Sequence, residues 1–228
     1  MIDRVIHEAH VWWPKKVKEF VTVQDGGTAT DFEISQPYTV RGDGKAVSVE
    51  IRNYELPASF TYYAVPKIDK DAFLLARISG WDQLNLLPGP AKIYFEGNYV
   101  GASDLDPRST IDTLDLSLGR DKRIVISRQP ISEFTKVKTV GSNTTKECRY
   151  EINVRNTKKD AIDLIIEDQL PVSQNSEIKV SDEEYPGGSL DEQTGKVTWR
   201  MNLPAGSAEK RTIGYSVKYP KNKQLQNF

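Results

Sequence analysis

The only two histidines of the 228-residue chain, His7 and His10, lie three residues apart, and Glu8 directly follows the first. Histidine and glutamate close together can hold a catalytic zinc ion, but the zincin helix spaces its histidines four residues apart, as H-E-x-x-H. A metal site also needs a third ligand, which this spacing does not identify. The pattern therefore favours a terminal arm, and we expect no metal and no cofactor.

The single cysteine, Cys148, is the second residue that could do chemistry, because a thiolate with a neighbouring base is a nucleophile. It precedes an alternating apolar run, Tyr150, Ile152 and Val154, far from both histidines. We therefore expect Cys148 to be a small, partly buried hydrophobic residue. No serine stands in the pattern G-x-S-x-G, and histidine confined to the N-terminus makes a Ser-His-Asp triad hard to assemble. The sequence predicts no catalytic residue and a protein that is not an enzyme.

Acidic side chains could also bind calcium, and Asp104, Asp106 and Asp112 are close in sequence. A calcium loop of the EF-hand type needs a central glycine and a bidentate glutamate at its twelfth position, and neither follows here. We expect a solvated loop. Paired carboxylates could hydrolyse sugars, but no spacing singles out a pair among the 32 acidic residues.

Charge is distributed unevenly along the second half of the chain. Residues 120–159 hold eleven Lys and Arg against four acids, whereas residues 160–193 hold ten acids against one lysine. The basic stretch could be an anion-binding stripe. The alternative, which we favour, is that neighbouring antiparallel strands pair opposite charges, with Arg149 and Arg155 facing Asp163 and Glu167.

The elements that would position these side chains are β-strands, because apolar residues alternate with polar ones along most of the chain. The alternation is clearest in Lys196–Tyr219, where Val197, Trp199, Met201 and Leu203 share one face of a strand. Turn signals separate such segments at intervals of about ten residues, as in sandwiches and barrels. The pattern predicts an all-β protein in which Trp199 is buried.

The spacing of strands and turns predicts two β-sandwich domains, the second of them immunoglobulin- or fibronectin-like. We expect a linker or arm over residues 1–27, a first sandwich over 28–120, a second over 121–222 and a tail over 223–228. The boundary is placed at Gly119–Lys122, directly after the predicted strand Thr113–Leu118. The Cys…Trp…Cys hallmark of true immunoglobulin domains is absent.

Exposed aromatic side chains could make the chain a carbohydrate-binding module, because sugars stack on flat rings. The candidates are Trp81, Tyr62 and Tyr99. We expect all three to be core residues, since the tyrosines lie within alternating strands. A carboxylate-based glycoside hydrolase is a further alternative that the sequence favours less.

The overall composition excludes several classes of partner. The net charge of −1 argues against general binding to nucleic acid or to anionic membranes. No apolar run approaches the length of a membrane-spanning helix. The first residues lack a basic segment followed by an apolar one, so we expect no signal peptide in this chain. The oligomeric state is not predicted.

Six segments taken together resemble the C-terminal domain of unknown function of the bacterial mucoidy inhibitor-like family. The resemblance covers roughly residues 28–220 in order. The segments are Ala29–Ile51, Glu55–Asp69, Leu86–Ser103, Asp112–Arg128, Tyr150–Val180 and Thr194–Pro220. It implies an upstream region, often with a coiled coil, and a periplasmic or outer cell-envelope location. It supplies no catalytic residues, so the hypothesis that follows is a non-catalytic envelope module contacting protein or glycan.

Overall fold

A computed structural model of the chain describes residues 21–25, 30–34, 39, 42–44, 53–84, 86–106 and 113–223. The regular structure of these residues is fourteen strands and two short 3-10 helices, Asp82–Leu84 and Ser132–Phe134, with no α-helix. The prediction of an all-β protein is therefore confirmed. The strands are β1 Val21–Asp25, β2 Thr30–Ile34, β3 Ala58–Val65, β4 Asp69–Ser79, β5 Gly89–Phe95, β6 Asn98–Leu105, β7 Thr113–Pro130, β8 Lys136–Val140, β9 Asn143–Asn156, β10 Ile162–Gln169, β11 Lys179–Glu184, β12 Ser189–Asp191, β13 Lys196–Leu203 and β14 Ala208–Pro220.

The chain divides into two compact units, Met1–Leu56 and Pro57–Phe228. The described strands of the first unit, β1 and β2, form an antiparallel two-stranded sheet. All the other described strands belong to the second unit. Its ten-stranded sheet has the order β11-β14-β9-β7-β4-β3-β10-β13-β12, with β8 pairing with β9, and β5 and β6 form a separate antiparallel hairpin.

The core of the second unit is built by the alternation seen in the sequence. On β10 the side chains of Ile162, Leu164 and Ile166 are buried, and on β13 those of Val197 and Trp199 are buried as well. They belong to one apolar cluster that includes residues of β7, β9 and β14. The indole of Trp199 is 1% exposed, which confirms the prediction of its burial.

One strand pairing joins distant parts of the sequence. Strand β3 runs parallel to β10, with Tyr62, Tyr63 and Ala64 in register with residues 164–166. All the other pairings between described strands are antiparallel. The buried residues of β3, Tyr62 and Ala64, therefore belong to the same apolar cluster as Leu164 of β10.

Strand β7 passes through the position at which the sequence places a domain boundary. Gly119 adopts a left-handed backbone with φ of 93°, and the register between β4 and β7 shifts around it. Such a shift at a glycine is a β-bulge, which bends a strand without ending it. Residues 113–125 pair with β4 and residues 124–130 pair with β9. The division into 28–120 and 121–222 stays a prediction, with one strand spanning its border.

Candidate functional site

The metal candidates of the sequence lie largely outside the described residues. His7, His10 and Asp112 are not among them, so the metal and calcium interpretations of those residues stay predictions. Asp104 is within β6 and Asp106 directly follows it. In the part of the chain that the structure describes, no group of three metal-binding side chains occurs.

Cys148 lies on β9 with 5% of its surface exposed, in the apolar cluster. Its register partner on β14 is Tyr215, which is also buried. The predicted burial of Cys148 among apolar residues is confirmed. Burial raises the pKa of the Tyr215 hydroxyl, and Tyr150 and Cys148 raise it further, so Tyr215 is a neutral phenol.

The most connected polar cluster joins β3, β7 and the loop after β9. The hydroxyl of Tyr62 donates to Asp121 at 2.7 Å and accepts from the Lys158 ammonium group at 2.6 Å. The guanidinium of Arg123 donates twice to Asp121, at 2.9 and 2.8 Å. Burial raises the pKa of Tyr62, and the bond to Asp121 adds to the effect.

The carboxylate of Asp121 is held ionised in this cluster. Burial alone would raise its pKa, but hydrogen bonds from Arg123 and Tyr62 outweigh burial and hold the pKa well below its usual range. A general acid needs the opposite shift, toward neutral pH. The cluster therefore ties three chain segments together and does not prepare a proton donor.

A buried ion pair links β7 to β10. The Nε of Arg128 donates to Asp168 at 2.7 Å, and the Asp168 side chain has no exposed surface. The Arg128 guanidinium also lies 3.7 Å from the ring centre of Tyr150, so the cation is held by a carboxylate and an aromatic face together. Because a buried charge is costly unless it is paired, this geometry compensates both groups.

The expected pairing between Arg149 or Arg155 and Asp163 or Glu167 is wrong. Strand β9 pairs with β14, β7 and β8, whereas β10 pairs with β13 and β3, so these residues are not opposite one another. Arg149 binds Glu184 on β11, and Glu167 binds Lys196 at 3.0 Å. Opposite charges do meet on neighbouring strands elsewhere, as Lys196 and Glu167 do on β13 and β10, but Arg149 and Glu184 lie on β9 and β11, which β14 separates.

Glu167 also accepts a hydrogen bond from the Tyr63 hydroxyl at 2.6 Å. Burial, followed by this bond, raises the pKa of Tyr63 to about 12. The contact ties the outward side chains of the parallel pair β3 and β10, and Lys196 extends the tie to β13. Glu167 is thus a further carboxylate that is bound by both a cation, Lys196, and a phenol, Tyr63.

Of the three aromatic candidates, Tyr62 and Trp81 are buried as expected, whereas Tyr99 is 57% exposed, which corrects the sequence expectation. Tyr99 lies on the β5–β6 hairpin opposite Tyr94, which is 62% exposed. Their ring centres are 5.6 Å apart and the ring planes meet at 62°, an edge-to-face contact. The pair is the candidate binding surface on this hairpin.

The sequence contains a signal for the exposure of Tyr94 and Tyr99, which the expectation that Tyr99 is a core residue did not use. The turn Glu96-Gly97 has positive φ at both residues, 48° and 78°, as in the tight turns that join β-hairpins. With a turn at that place, Tyr94 and Tyr99 become register partners. Since Ile93 is the buried residue of β5, its neighbour Tyr94 points to the opposite, exposed face.

A second candidate surface is a shallow depression near the ends of β11 and β14. It is lined by Lys179, Lys218 and Lys221, which we call the lysine depression, together with Ser142 and Ser176. Lys179 lies directly opposite Lys218 in the antiparallel register. The basic stretch 120–159 contributes only the turn at Ser142 and Asn143 to this surface.

The described residues contain no helix that is long and apolar enough to cross a membrane. The model of the domain of unknown function DUF4139 matches residues 4–221. A relative from Caenorhabditis elegans, Protein F37C4.5, is 23% identical over 223 residues. The match covers 91% of this chain and 40% of that protein, so the chain spans less than half the length of this curated relative.

Proposed function

The chain belongs to the DUF4139 family, and from this premise we propose that it is a non-catalytic module of the cell envelope that contacts protein or glycan. The observation that carries the proposal is the exposed pair Tyr94 and Tyr99 on the β5–β6 hairpin. Tyrosine is enriched at binding surfaces because its rigid ring offers a large contact area with one polar end. A hairpin that holds two such rings side by side is a preformed contact surface.

The state of the carboxylates supports a non-catalytic role. Asp121 and Asp168 are each bound by arginine, and Asp71 is bound by both Arg120 and Lys122. Hydrogen bonding to Lys122 is the chief cause of a lowered pKa for Asp71. Carboxylates bound in this way neither donate protons near neutral pH nor act freely as nucleophiles. A screen against glycosidase and esterase substrates tests the point, and turnover abolished by a carboxylate substitution would refute it.

One finer feature of the proposal, a periplasmic or outer-envelope location, comes from the resemblance to the mucoidy inhibitor-like family. Another, an immunoglobulin-like arrangement of residues 121–222, comes from the spacing of strands and turns in the sequence. Fractionation of cells that produce the full-length parent protein tests the location. Recovery of the parent in the cytoplasmic fraction would contradict it, whereas release with the periplasm or the outer membrane would agree with it.

A carbohydrate-binding module is the second candidate, and the exposure of Tyr94 and Tyr99 favours it. Sugar rings stack on flat, exposed aromatic faces. The two planes meet at 62°, so one ring at a time can offer its face to a sugar. This geometry fits a single sugar unit better than an extended chain lying across both rings. A glycan array probed with the full chain separates this candidate from protein contacts.

The proposal is tested by the double substitution Tyr94→Ala/Tyr99→Ala in the full chain. We expect it to abolish capture of specific envelope partners, or binding to array glycans, while the unfolding temperature stays close to that of the parent. The matched control is Val137→Ala/Val140→Ala, which removes exposed apolar side chains from β8. Partners retained by the tyrosine variant but lost by the valine variant would move the contact surface to β8.

A further inference from the structure

The lysine depression carries three cations that have no acidic partner among the described residues. Lys179, Lys218 and Lys221 line it, and none forms an ion pair there. This differs from the basic residues of the central strands, such as Arg128 and Arg149, which each bind a carboxylate. The lysine depression therefore carries positive charge that no described carboxylate neutralises.

The strand register also places two of these lysines against each other. Lys179 on β11 and Lys218 on β14 are directly opposite one another. Side chains in that relation have Cβ atoms about 4.5–5.5 Å apart, and like charges placed so are destabilising. Elsewhere in the sheet, opposing strands bring opposite charges together, as Lys210 and Glu151 do at 2.7 Å. An anion from outside the chain would remove the repulsion.

The acid nearest to the depression does not neutralise it. Glu177 also lines the depression, but its carboxylate is bound by Lys223. The remaining lining includes groups that can donate hydrogen bonds, the hydroxyls of Ser142 and Ser176 and the amide of Asn143. Ammonium groups together with hydroxyl and amide donors suit an oxyanion that has several acceptor oxygens.

We propose that the lysine depression binds a phosphate group. Phosphate has more acceptor oxygens than a carboxylate, and lysine is a common phosphate ligand because it acts as a point charge. The phosphate is either a free or soluble ester group or the headgroup of an anionic phospholipid. The site is on β11, β14 and the turns beside them, so it is independent of Tyr94 and Tyr99.

The test measures thermal unfolding of the full chain while inorganic phosphate is titrated against chloride at equal ionic strength. A ligand that binds only the folded state raises the unfolding temperature as its concentration rises. The variants are Lys179→Gln/Lys218→Gln and, separately, Lys221→Gln. We expect each removed lysine to weaken phosphate binding about tenfold, as loss of a hydrogen bond to a charged group does.

The matched control is Lys92→Gln on β5, an exposed lysine with no ion pair among the described residues. Phosphate also stabilises folded proteins by exclusion from their surface, and this effect is common to the parent and every variant. The proposal requires that phosphate raise the unfolding temperature of the parent and of Lys92→Gln more than it raises that of the variants in the lysine depression. An equal gain in all four proteins would overturn it.

A second experiment, which measures binding to lipid vesicles, identifies the source of the phosphate group. The parent and the variants are sedimented with vesicles of phosphatidylcholine alone and of phosphatidylcholine with phosphatidylglycerol. Binding to the anionic vesicles that the depression variants lose assigns a lipid headgroup, and a response to inorganic phosphate without vesicle binding assigns a soluble ligand. Vesicle binding that the variants keep, with no phosphate response, would place the interaction elsewhere and refute the site.

Discussion

At the scale of single residues, Trp199 is the largest of the fully buried side chains among the described residues. Its ring is buried among residues of facing strands, and its indole N–H donates to the Pro186 carbonyl at 3.0 Å. We expect Trp199→Ala to lower the free energy of unfolding by roughly 3–5 kcal/mol, as large-to-small core changes do. Urea unfolding measures the change, and Tyr99→Ala on the exposed hairpin is the control. A loss below about 1 kcal/mol would contradict the burial argument.

A second prediction at this scale concerns acid stability. The pKa of Asp121 is lower in the folded protein than in the unfolded chain, so the cluster stabilises the fold above the unfolded value of about 3.9. That contribution is lost as the pH falls below this value toward the folded pKa. We expect Asp121→Asn to be less stable than the parent at pH 7, with a smaller further loss on acidification. Urea unfolding at pH 7 and at an acidic pH below about 3.9 measures the free energy of unfolding of both proteins. An equal loss of stability on acidification in the two proteins would count against the prediction.

Residue identity alone predicted only part of the candidate surfaces. Tyr62 and Tyr99 both stand in alternating strands, yet one is buried and the other exposed. Alternation says that the two faces of a strand differ, but it does not say whether a second layer covers either face. Strand β3 lies within the large sheet, whereas β6 pairs with β5 alone among the described strands. The sequence alone could not predict that Lys179 faces Lys218, because this pairing depends on the register between two strands that are distant in sequence.

At the scale of elements, the turn before β13 offers a direct test of close packing. Gly195 and Gly97 both have positive φ, 71° and 78°. A Cβ at Gly195 would clash with the Leu170 carbonyl and lie 2.7 Å from Val172, whereas one at Gly97 would meet nothing within 4 Å. We expect Gly97→Ala to cost about 1 kcal/mol for the strained backbone, and Gly195→Ala about 2–4 kcal/mol. Equal losses in urea unfolding would show that the loop yields.

The sequence predicted most of the strands of the second unit because their faces differ in polarity. Strands β10 and β13 follow the alternation closely. Strand β8 has no buried face to reveal it, since all five of its residues are exposed, and β12 has only three residues. The sequence places a domain boundary at Gly119–Lys122, since a glycine among charged residues looks the same in sequence whether a strand ends there or bulges.

At the scale of the whole molecule, the pairing of β3 with β10 makes a prediction about fragments. The fragment 57–228 contains the second compact unit, and we expect it to show a β-type circular dichroism spectrum and a cooperative melt. The fragment 121–222 lacks β3, β4 and part of β7, which leaves an edge of β10 unpaired. We expect it to melt at a lower temperature or to associate, since unpaired edges recruit other strands. A cooperative melt of 121–222 at the temperature of 57–228 would instead support the predicted boundary.

The parallel pairing has a consequence for how the chain is made. Tyr63 and its hydrogen-bond acceptor Glu167 are 104 residues apart in sequence. At about 5–20 residues per second, a ribosome that has finished β3 needs about 5–20 s more to deliver β10. During that interval β3 can form its hairpin with β4, but its other edge has no strand beside it. Contacts of such long range also slow folding, because a large loop must close before they form. The nascent chain therefore carries an open strand edge for seconds, and we expect general chaperones to engage it at this stage of synthesis.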